Sequence, residues 1–595
     1  YSDGFAETGA AGRVKQEKLM AIARAGNVRL IGPNCIGLFS SNPSCALSVN
    51  AVLEKLSVTP GPLAIVSQSG SMMGGLLSRG LGRGVGFSKL VSVGNECDLG
   101  VGEIAECLVD DPHTGAILLF LETLRDADRL GHAARRAYAA NKPVIVYKLG
   151  RSDLGQDLAA SHTGALAGAD EVADQFFRAN GMLRVEMLET LFELPALLQG
   201  QKPAKRHRVA VLTTTGGGAA SVVDRLGVFG VDVVAPPDRV VDNLAQKKIH
   251  IPRMRLTDLT LAGAKKEIYS AVLNELLASD HCDLVIPIAG SSAQFHPQIA
   301  VAPVVEAKPG DKIIAAFLAP HAEKSLNLLS EAGIAGFRTP ESCADAIRAW
   351  RDWTPPLDAG AADTKKIAAA AALIKPITGK QVNEYDACKV FASLGITSAQ
   401  TAVIKDAAEN AGVGFPVVAK ILSPDILHKT DAGGVVLNIG DAGALKSAAQ
   451  DILKRVKAKH PDAKINGILV QKMEKGLAEV ILGFRRDPQV GPIVLLGAGG
   501  VLAEIYKDIA IRLAPVNLDT ARAMVEEVRG LALIRGYRGL PRGDCEALAQ
   551  AVVAMSQLAA LNERPVADAE INPLIVKPEG QGVVAVDGLI VFRDN

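Results

Sequence analysis

Short runs of β-branched and aliphatic residues alternate along this chain with alanine-rich helical stretches, a texture that predicts parallel sheets flanked by helices. Leu63-Ala64-Ile65-Val66, Ala116 to Leu121 (AILLFL) and Pro143 to Tyr147 read as buried strands. The pattern restarts with Arg208 to Leu212 and continues through Asp283 to Ile288 and Ile313 to Phe317. Two α/β units in tandem are expected, each opened by a strand that runs into a turn of small residues, Ser67 to Ser71 in the first and Gly216 to Gly218 in the second. Residues 354–374 break the pattern with two prolines and an alanine-rich tract, and read as a linker. Beyond it, Gly379 to Gly395 has the spacing of an amphipathic helix. Phe415 to Lys420 is a strand ending in lysine, and Ile571 to Lys577 and Val583 to Val591 are strand-like.

Composition narrows the function classes. At roughly 150 residues per domain, 595 residues suggest about four domains. Lys+Arg and Asp+Glu are 64 each, so the chain lacks the basic excess of a general nucleic-acid binder. Aromatics at 4% make a stacking surface for single strands a poor fit. Hydrophobic residues at 48% and charged residues at 22% exclude wholesale disorder. No run of about 18 apolar residues predicts a membrane span, and no signal peptide is seen. The eight cysteines form no CxxC pair and none has histidine at zinc spacing, so a reduced cytoplasmic chain without structural zinc is expected. The chain opens on Tyr1 rather than Met, which reads as a fragment whose start is missing.

Several small-residue segments carry candidate chemistry. His162, in Ser161-His162-Thr163-Gly164, is flanked by residues too small to bury an imidazole. A neutral imidazole is a good nucleophile toward phosphorus, although a loop or capping histidine has the same appearance. Glu122 follows a buried strand at the edge where open α/β sheets form sites. There it reads equally as a carboxylate orienting a histidine or as a helix-opening surface glutamate. The turns at Ser69-Gly70 and Gly217-Gly218 leave backbone N–H groups at helix N-termini, which suit phosphate. Neither is a Walker motif. Lys420 ends a strand before the glycine-rich Leu427-His428-Lys429-Thr430-Asp431-Ala432-Gly433-Gly434, a setting for nucleotide phosphates or for a solvated loop. Asn572 and Asp587 lie 15 positions apart. Paired as an antiparallel hairpin, the two runs would bring both oxygens to one point, as a hard cation such as Mg²⁺ requires; two strand-capping turn residues would have the same spacing.

These segments together resemble the NDP-forming acyl-CoA synthetases, the superfamily of succinyl-CoA synthetase and ADP-forming acetyl-CoA synthetase. The resemblance spans essentially the whole chain. It rests on Gly32-Pro33-Asn34-Cys35, Ser67-Gln68-Ser69-Gly70, Ser161-His162-Thr163-Gly164, Leu427-His428-Lys429-Thr430-Asp431, Arg486-Asp487-Pro488 and Glu570-Ile571-Asn572-Pro573, in that order. It implies an α/β multidomain fold: the C-terminal part of a Rossmann-like CoA-binding domain (1–58), a flavodoxin-like ligase domain (59–203), a second such domain (204–353), a linker (354–374) and an ATP-grasp domain (375–595). It implies that His162 is the phosphohistidine and that Glu122 steadies it. The turns at Ser69-Gly70 and Gly217-Gly218 then receive the phosphoryl group, and His428 relays it. Lys420, Gln471 and Glu479 are the implied nucleotide contacts. Asn572 and Asp587, with Glu570 beside them, are the implied Mg²⁺ ligands.

The implied reaction is carboxylate, ATP (or GTP) and CoA giving acyl-CoA, ADP and phosphate, in a cytoplasmic protein that is commonly a homodimer. Two departures from the family pattern bear on this. The glycine-rich loop of the CoA-binding domain is absent, so CoA binding by residues 1–58 alone is not expected. The usual Asn-Pro-Val-Asp-Leu stretch is replaced by Pro252-Arg253-Met254-Arg255-Leu256-Thr257-Asp258-Leu259, in a region the family turns toward the acyl site. Acids larger than acetate, of the hydroxycinnamate or sulfonium type, therefore come into view. A non-catalytic CoA- or nucleotide-sensing module is the alternative from another class, and an ATP-grasp ligase without phosphohistidine is a third. The intact His162, Glu122, Asn572 and Asp587 disfavour the sensor, and the SHTG turn disfavours the third.

Overall fold

The computed structural model describes residues 2–152, 154–155, 170–203, 207–260, 263, 265–405, 411–423, 425–426, 429–499 and 508–593. The chain divides into two compact units, Tyr1–Leu357 and Asp358–Asn595. All eight cysteines are free. Among the described residues, no helix is long and apolar enough to cross a membrane.

The first unit holds two sheets. In the seven-stranded sheet, Pro60–Ser67 lies between Phe87–Ser92 and Ala116–Leu121, and Val144–Lys148 and Leu183–Val185 extend the latter side, all parallel. All six residues of Ala116–Leu121 are buried, which is why the strand is an unbroken apolar run. The hairpin of Gly37–Ser41 and Ser44–Ser48 adds antiparallel to the far side of Phe87–Ser92, so residues from the 1–58 segment share a sheet with those of 59–203. The five-stranded sheet is wholly parallel, in the order Ala335–Phe337, Ile313–Leu318, Leu284–Ala289, Val209–Thr213, Leu256–Asp258. In each sheet the opening strand has later strands on both sides. The crevice at its carboxyl end is therefore a topological switch point, where open α/β sheets bind ligands. One hydrophobic cluster containing Phe87, Phe192, Phe317 and Trp350 joins the two layers.

The second unit is built from two antiparallel sheets. The larger runs Gln381–Val382, Gly588–Phe592, Val566–Val576, Ala478–Asp487, Gly491–Ala498, Ile509–Leu513, with Val583–Ala585 also on Val566–Val576. The smaller runs Thr401–Ile404, Gly467–Lys472, Val417–Leu422, Val435–Ile439. The sequence expectation differs from the structure in four places. The helix expected over Gly379 to Gly395 begins at Glu384, after the short strand Gln381–Val382, and the strand expected to end at Lys420 runs on to Leu422. The alanine-rich end of the 354–374 segment is a helix, Thr364–Ile374, with Ala370 and Ile374 fully buried. Alanine costs no side-chain entropy in a helix, and this helix finds a core to cover. The expected Val583 to Val591 run is interrupted at Val586-Asp587, so one predicted strand is two.

Helix Glu384–Leu394 starts at Asn383, whose side chain accepts from Asp386 N at 3.0 Å, and ends at Gly395 in the left-handed region at φ 109°. It packs against the strand after Asp587 so closely that a Cβ on Gly588 would sit 2.8 Å from the Phe391 ring. Gly588→Ala is expected to destabilise this unit by about 1–3 kcal/mol, the range for overpacking a filled core. Urea unfolding with an unmoved midpoint would refute the close packing.

Candidate active site

The first unit presents two turns built alike. Ser67 ends its strand and its hydroxyl donates to Ser69 O at 2.7 Å while accepting from Ser69 N at 3.2 Å. Thr213, at the same place in the second sheet, donates to Thr215 O at 3.1 Å and accepts from Thr215 N at 2.9 Å. Each latch fixes the chain where it enters a helix, Gly70–Leu81 in one case and Gly216–Val228 in the other. The N–H groups of a helix's first turn have no intrahelical acceptors, and with the dipole they make an anion site. Ser69, Gly70, Gly217 and Gly218 therefore all lie at such starts, each at a switch point of its sheet. Asp258, in the departed 252–259 stretch, lies against the second start: a Cβ on Gly216 would be 3.0 Å from its Oδ2. Beside this turn, a cavity of about 330 Å³ is lined by Thr214, Thr215, Tyr269, Gly290, Ser291 and Ser292.

Glu122 follows strand Ala116–Leu121 and is 5% exposed. Its backbone N–H donates to Gln68 Oε1, as does that of Thr123 at 3.0 Å, and Gln68 Nε2 donates to Thr123 O at 2.8 Å. Gln68 thus ties the Ser69 turn to the Glu122 turn across adjacent strands. Its amide also donates to Glu96 Oε1, while Glu96 Oε2 accepts from Val101 N at 2.8 Å. Burial pushes the Glu96 carboxyl above the usual carboxylate range. The Gly32-Pro33-Asn34-Cys35 segment braces this loop, with Gly32 O accepting from Cys97 N at 3.0 Å and Pro33 O from Asn95 N at 2.9 Å. Gln68 and Glu96 were not among the residues expected here; the Ser-Gln-Ser-Gly motif contains Gln68, but nothing local distinguishes Glu96.

In the second unit Lys420 is 8% exposed on strand Val417–Leu422. Its Nζ lies 2.7 Å from Glu384 Oε1, donates to Val586 O at 2.7 Å and stands 3.7 Å from Asp587 Oδ2. Lys429 Nζ pairs with Glu384 Oε2 and lies 3.4 Å from Asp587 Oδ1. Burial pulls the Lys429 ammonium down, but Glu384 and Asp587 together outweigh it, and its pKa ends above the ordinary lysine value. Glu384, only 3% exposed, was not singled out from the sequence, because at a helix start it looks like an ordinary dipole-favoured glutamate. Gln471 lies opposite Val418, on the same face as Lys420. It is 2% exposed and its Nε2 has no partner among the described residues, a donor that a base acceptor would satisfy. Glu479 is exposed on the larger sheet, opposite Ile575.

The ladder runs through Ile571↔Gly588 and Leu574↔Ala585, which sets Asn572 opposite Asp587. Glu570 accepts from Asn572 Nδ2 at 3.0 Å. These are hard oxygen donors, and among the described residues no cluster of three or more His, Cys, Asp or Glu could cage an ion. Few protein oxygens with room for phosphate is what Mg²⁺ takes, so the residues fit that ion. Arg486-Asp487-Pro488 is structural: Arg486 donates to Val566 O and Ala559 O at 3.0 and 2.9 Å, and Asp487 accepts from Gln489 N and Val490 N at 2.8 and 3.0 Å. His162 and His428 lie outside the described residues.

Residues 60–198 match the succinyl-CoA ligase-like flavodoxin domain family, and residues 377–592 match the ATP-grasp domain family. The chain is 32% identical to the ADP-forming acetate–CoA ligase I of Archaeoglobus fulgidus, over 98% of this chain and 85% of that protein. It is 30% identical to a trans-feruloyl-CoA synthase of an unknown prokaryotic organism, over 100% of this chain and 85% of that protein. A solved structure, the dinucleotide-forming acetyl-coenzyme A synthetase 1 of Ca. Korarchaeum cryptofilum in complex with phosphate and ADP, matches 59% of this chain and 76% of that chain, at 25% identity and a TM-score of 0.52.

The Glu384 geometry makes its own prediction. Glu384→Gln leaves two buried ammoniums short of a charge. It is expected to lower kcat/KM for ATP by roughly 10–100-fold, the usual effect of removing an orienting partner. Initial rates of ADP release at varied ATP would measure this, and an unchanged kcat/KM would show that the lysines hold position without it. At 32% identity over 98% of this chain and 85% of a single-chain relative, with both domain types matched, the chain belongs to the NDP-forming acyl-CoA synthetase superfamily, in its single-chain form.

Proposed function

We propose that this chain is an ADP-forming acid–CoA ligase, working in the cytoplasm as a homodimer. It joins a small-molecule carboxylate to CoA with ATP, through a phosphohistidine and an acyl phosphate. The observation that supports this most is the pair of matching latched turns at Ser67-Ser69 and Thr213-Thr215. They supply two helix N-termini for one phosphoryl group within a chain that also carries a lysine-lined ATP-grasp fold.

Chemistry proceeds in four displacements. A ring nitrogen of His428 attacks the γ-phosphorus of ATP as the bond to the ADP oxygen breaks, and a ring nitrogen of His162 then attacks that phosphorus as the bond to His428 breaks. A carboxylate oxygen of the acid then attacks that phosphorus, releasing His162 and giving an acyl phosphate. The sulfur of CoA attacks the acyl carbon, phosphate leaves, and the thiol proton passes to solvent. Lys420 and Lys429 face the nucleotide phosphates, with Glu384 keeping both ammoniums in place, and Gln471 and Glu479 contact base and ribose. Glu122 holds the His162 ring, and the turns at Ser69-Gly70 and Gly217-Gly218 surround the phosphoryl group with N–H donors in place of water. Asn572 and Asp587, with Glu570 beside them, would hold Mg²⁺, which neutralises phosphate charge when bound. His428 carries the phosphoryl group part of the way between the nucleotide and His162.

The acid is larger than acetate, with an aromatic hydroxycinnamate-type acid the leading case. Supporting this are the altered 252–259 stretch beside the Gly216 helix start, the neighbouring cavity of about 330 Å³, which lies in the range of small-molecule sites, and the feruloyl-CoA relative.

Incubation with γ-labelled ATP and Mg²⁺ tests the route without knowledge of the acid. Wild type is expected to take acid-labile, alkali-stable label on the peptide carrying His162, which His162→Ala loses and His428→Ala blocks. An unlabelled wild type that still binds ATP and GTP would sink the ligase reading in favour of a sensor. Unchanged labelling in His428→Ala would sink the relay. A carboxylate screen then reads the acid: acetate outperforming ferulate in kcat/KM would refute the larger-acid assignment.

A further inference from the structure

Glu96 stands in a loop held in a costly shape. It is a non-glycine residue at φ 51°, in the left-handed region that few side chains adopt. Such conformations persist only where the surroundings over-determine them, and they gather at functional sites. The bracing here is dense. Asn95 N, Cys97 N and Leu99 N donate to Pro33 O, Gly32 O and Leu30 O at 2.9, 3.0 and 3.0 Å. A Cβ on Gly94 would lie 2.2 Å from Pro33 O, so the two backbones touch. The Asn95 amide adds bonds to Asn34 at 3.3 Å and Gln16 at 3.1 Å, and one to Glu7.

One use of this loop is plain and does not explain it. Glu96 Oε2 accepts from Val101 N at 2.8 Å, in the first turn of helix Val101–Asp110. A Cβ on Gly100 would lie 2.9 Å from the same oxygen, so the carboxylate fills the place of a capping side chain. A serine or aspartate at position 100 would cap that helix with no strained residue upstream. The other oxygen goes elsewhere. Glu96 Oε1 accepts from Gln68 Nε2, and Gln68 Oε1 in turn accepts from the backbone N–H groups of Glu122 and Thr123. Gln68 Nε2 also donates to Thr123 O at 2.8 Å, which uses both hydrogens of the amide. Burial opposes the Glu96 charge, while the Val101 N–H, the Gln68 amide and the nearby Arg125 work to keep it. A charged acceptor at one end of an amide strengthens the bonds made at its other end.

We propose that Glu96 is a positioning residue for Glu122, acting through the Gln68 amide. This rests on the proposed function, in which Glu122 holds the His162 ring. A glutamine side chain has many rotamers, and holding one of them opposes its conformational entropy. Glu96 holds it from a loop that cannot itself shift, because that loop's backbone is pinned to residues 30–33. The amide oxygen then sets where strand Ala116–Leu121 ends and the Glu122 turn begins. Without Glu96 the amide meets the two N–H groups in only some of its rotamers, and Glu122 enters the site over a spread of positions. A misplacement on the order of 1 Å is costly for a group that orients a nucleophile. The lysines and Gln471 of the nucleotide end belong to the other unit and take no part in this chain of bonds.

Hydrogen exchange of the full chain reads the positioning without any turnover. In Glu96→Met, which keeps the side-chain length, the peptide spanning residues 116–126 is expected to exchange about fivefold to tenfold faster, as a turn does when it loses the support of one hydrogen bond. In a Gln68→Ala background the same substitution is expected to change that exchange by less than about twofold, because its effect runs through the amide. Label uptake from γ-labelled ATP, read on the peptide carrying His162, is expected to slow roughly 10–100-fold in Glu96→Met, with the half-saturating ATP concentration unmoved. A residue that only caps helix Val101–Asp110 would speed exchange at the start of that helix alone, and equally in both backgrounds. Wild-type exchange at 116–126 in Glu96→Met, or an equal effect with and without Gln68, would overturn the assignment. Glu96→Gln, which retains an acceptor, is expected to show both effects in milder form, and it serves if Glu96→Met does not fold. A wild type that takes no label would instead remove the ligase reading, and the exchange result would still decide whether Glu96 positions the Glu122 turn.

Discussion

A carboxylate withdrawn from water must be answered by positive charge, and in the second unit that requirement organises the nucleotide end of the molecule. Glu384 is held by Lys420 from the small sheet and by Lys429 from the segment that follows it. Glu384 itself stands at the first turn of a helix packed on the large sheet through the Phe391–Gly588 contact. One buried charge therefore ties two sheets and a helix to a common point. Asp587 joins the same group at longer range, with its side chain 37% exposed against 1% for that of Glu384. Replacing the cluster by apolar side chains would cost little stability by general experience with buried ion pairs. Under the proposed function it places two ammoniums where phosphate arrives.

Under the proposed function the first unit solves a related problem with neutral groups. A transferred phosphoryl group has to leave water and still meet donors. Parallel strands deliver their ends to one edge of each sheet, and a hydroxyl at the last strand position fixes the turn so that the following helix begins there. Ser67 and Thr213 perform this identically in two sheets of different size and strand order. Gln68 extends the device by binding both the backbone of the Glu122 turn and the Glu96 carboxylate. Thus the acidic side chain and the helix start are positioned by one amide.

The order of apolar runs and small-residue turns was enough for the α/β class, the tandem units and the strands that open them, because burial on both faces forces continuous apolar segments whatever their neighbours. The Ser-Gln-Ser-Gly and triple-glycine turns were legible as runs of small residues; at Gly70 the reason is packing, since a Cβ there would lie 2.9 Å from the Ile36 Cγ2. The register of Asn572 and Asp587 could be anticipated from their spacing, since a hairpin aligns residues at fixed offsets. Other features could not be read this way. The alanine tract at 364–374 shares its composition with linkers and became a helix because a core was there to receive Ala370 and Ile374. Glu384 and Glu96 carry no local signature. Their side-chain partners lie 28 to 45 residues away along the chain, and a charge's environment is a property of the packed structure rather than of its neighbours in sequence.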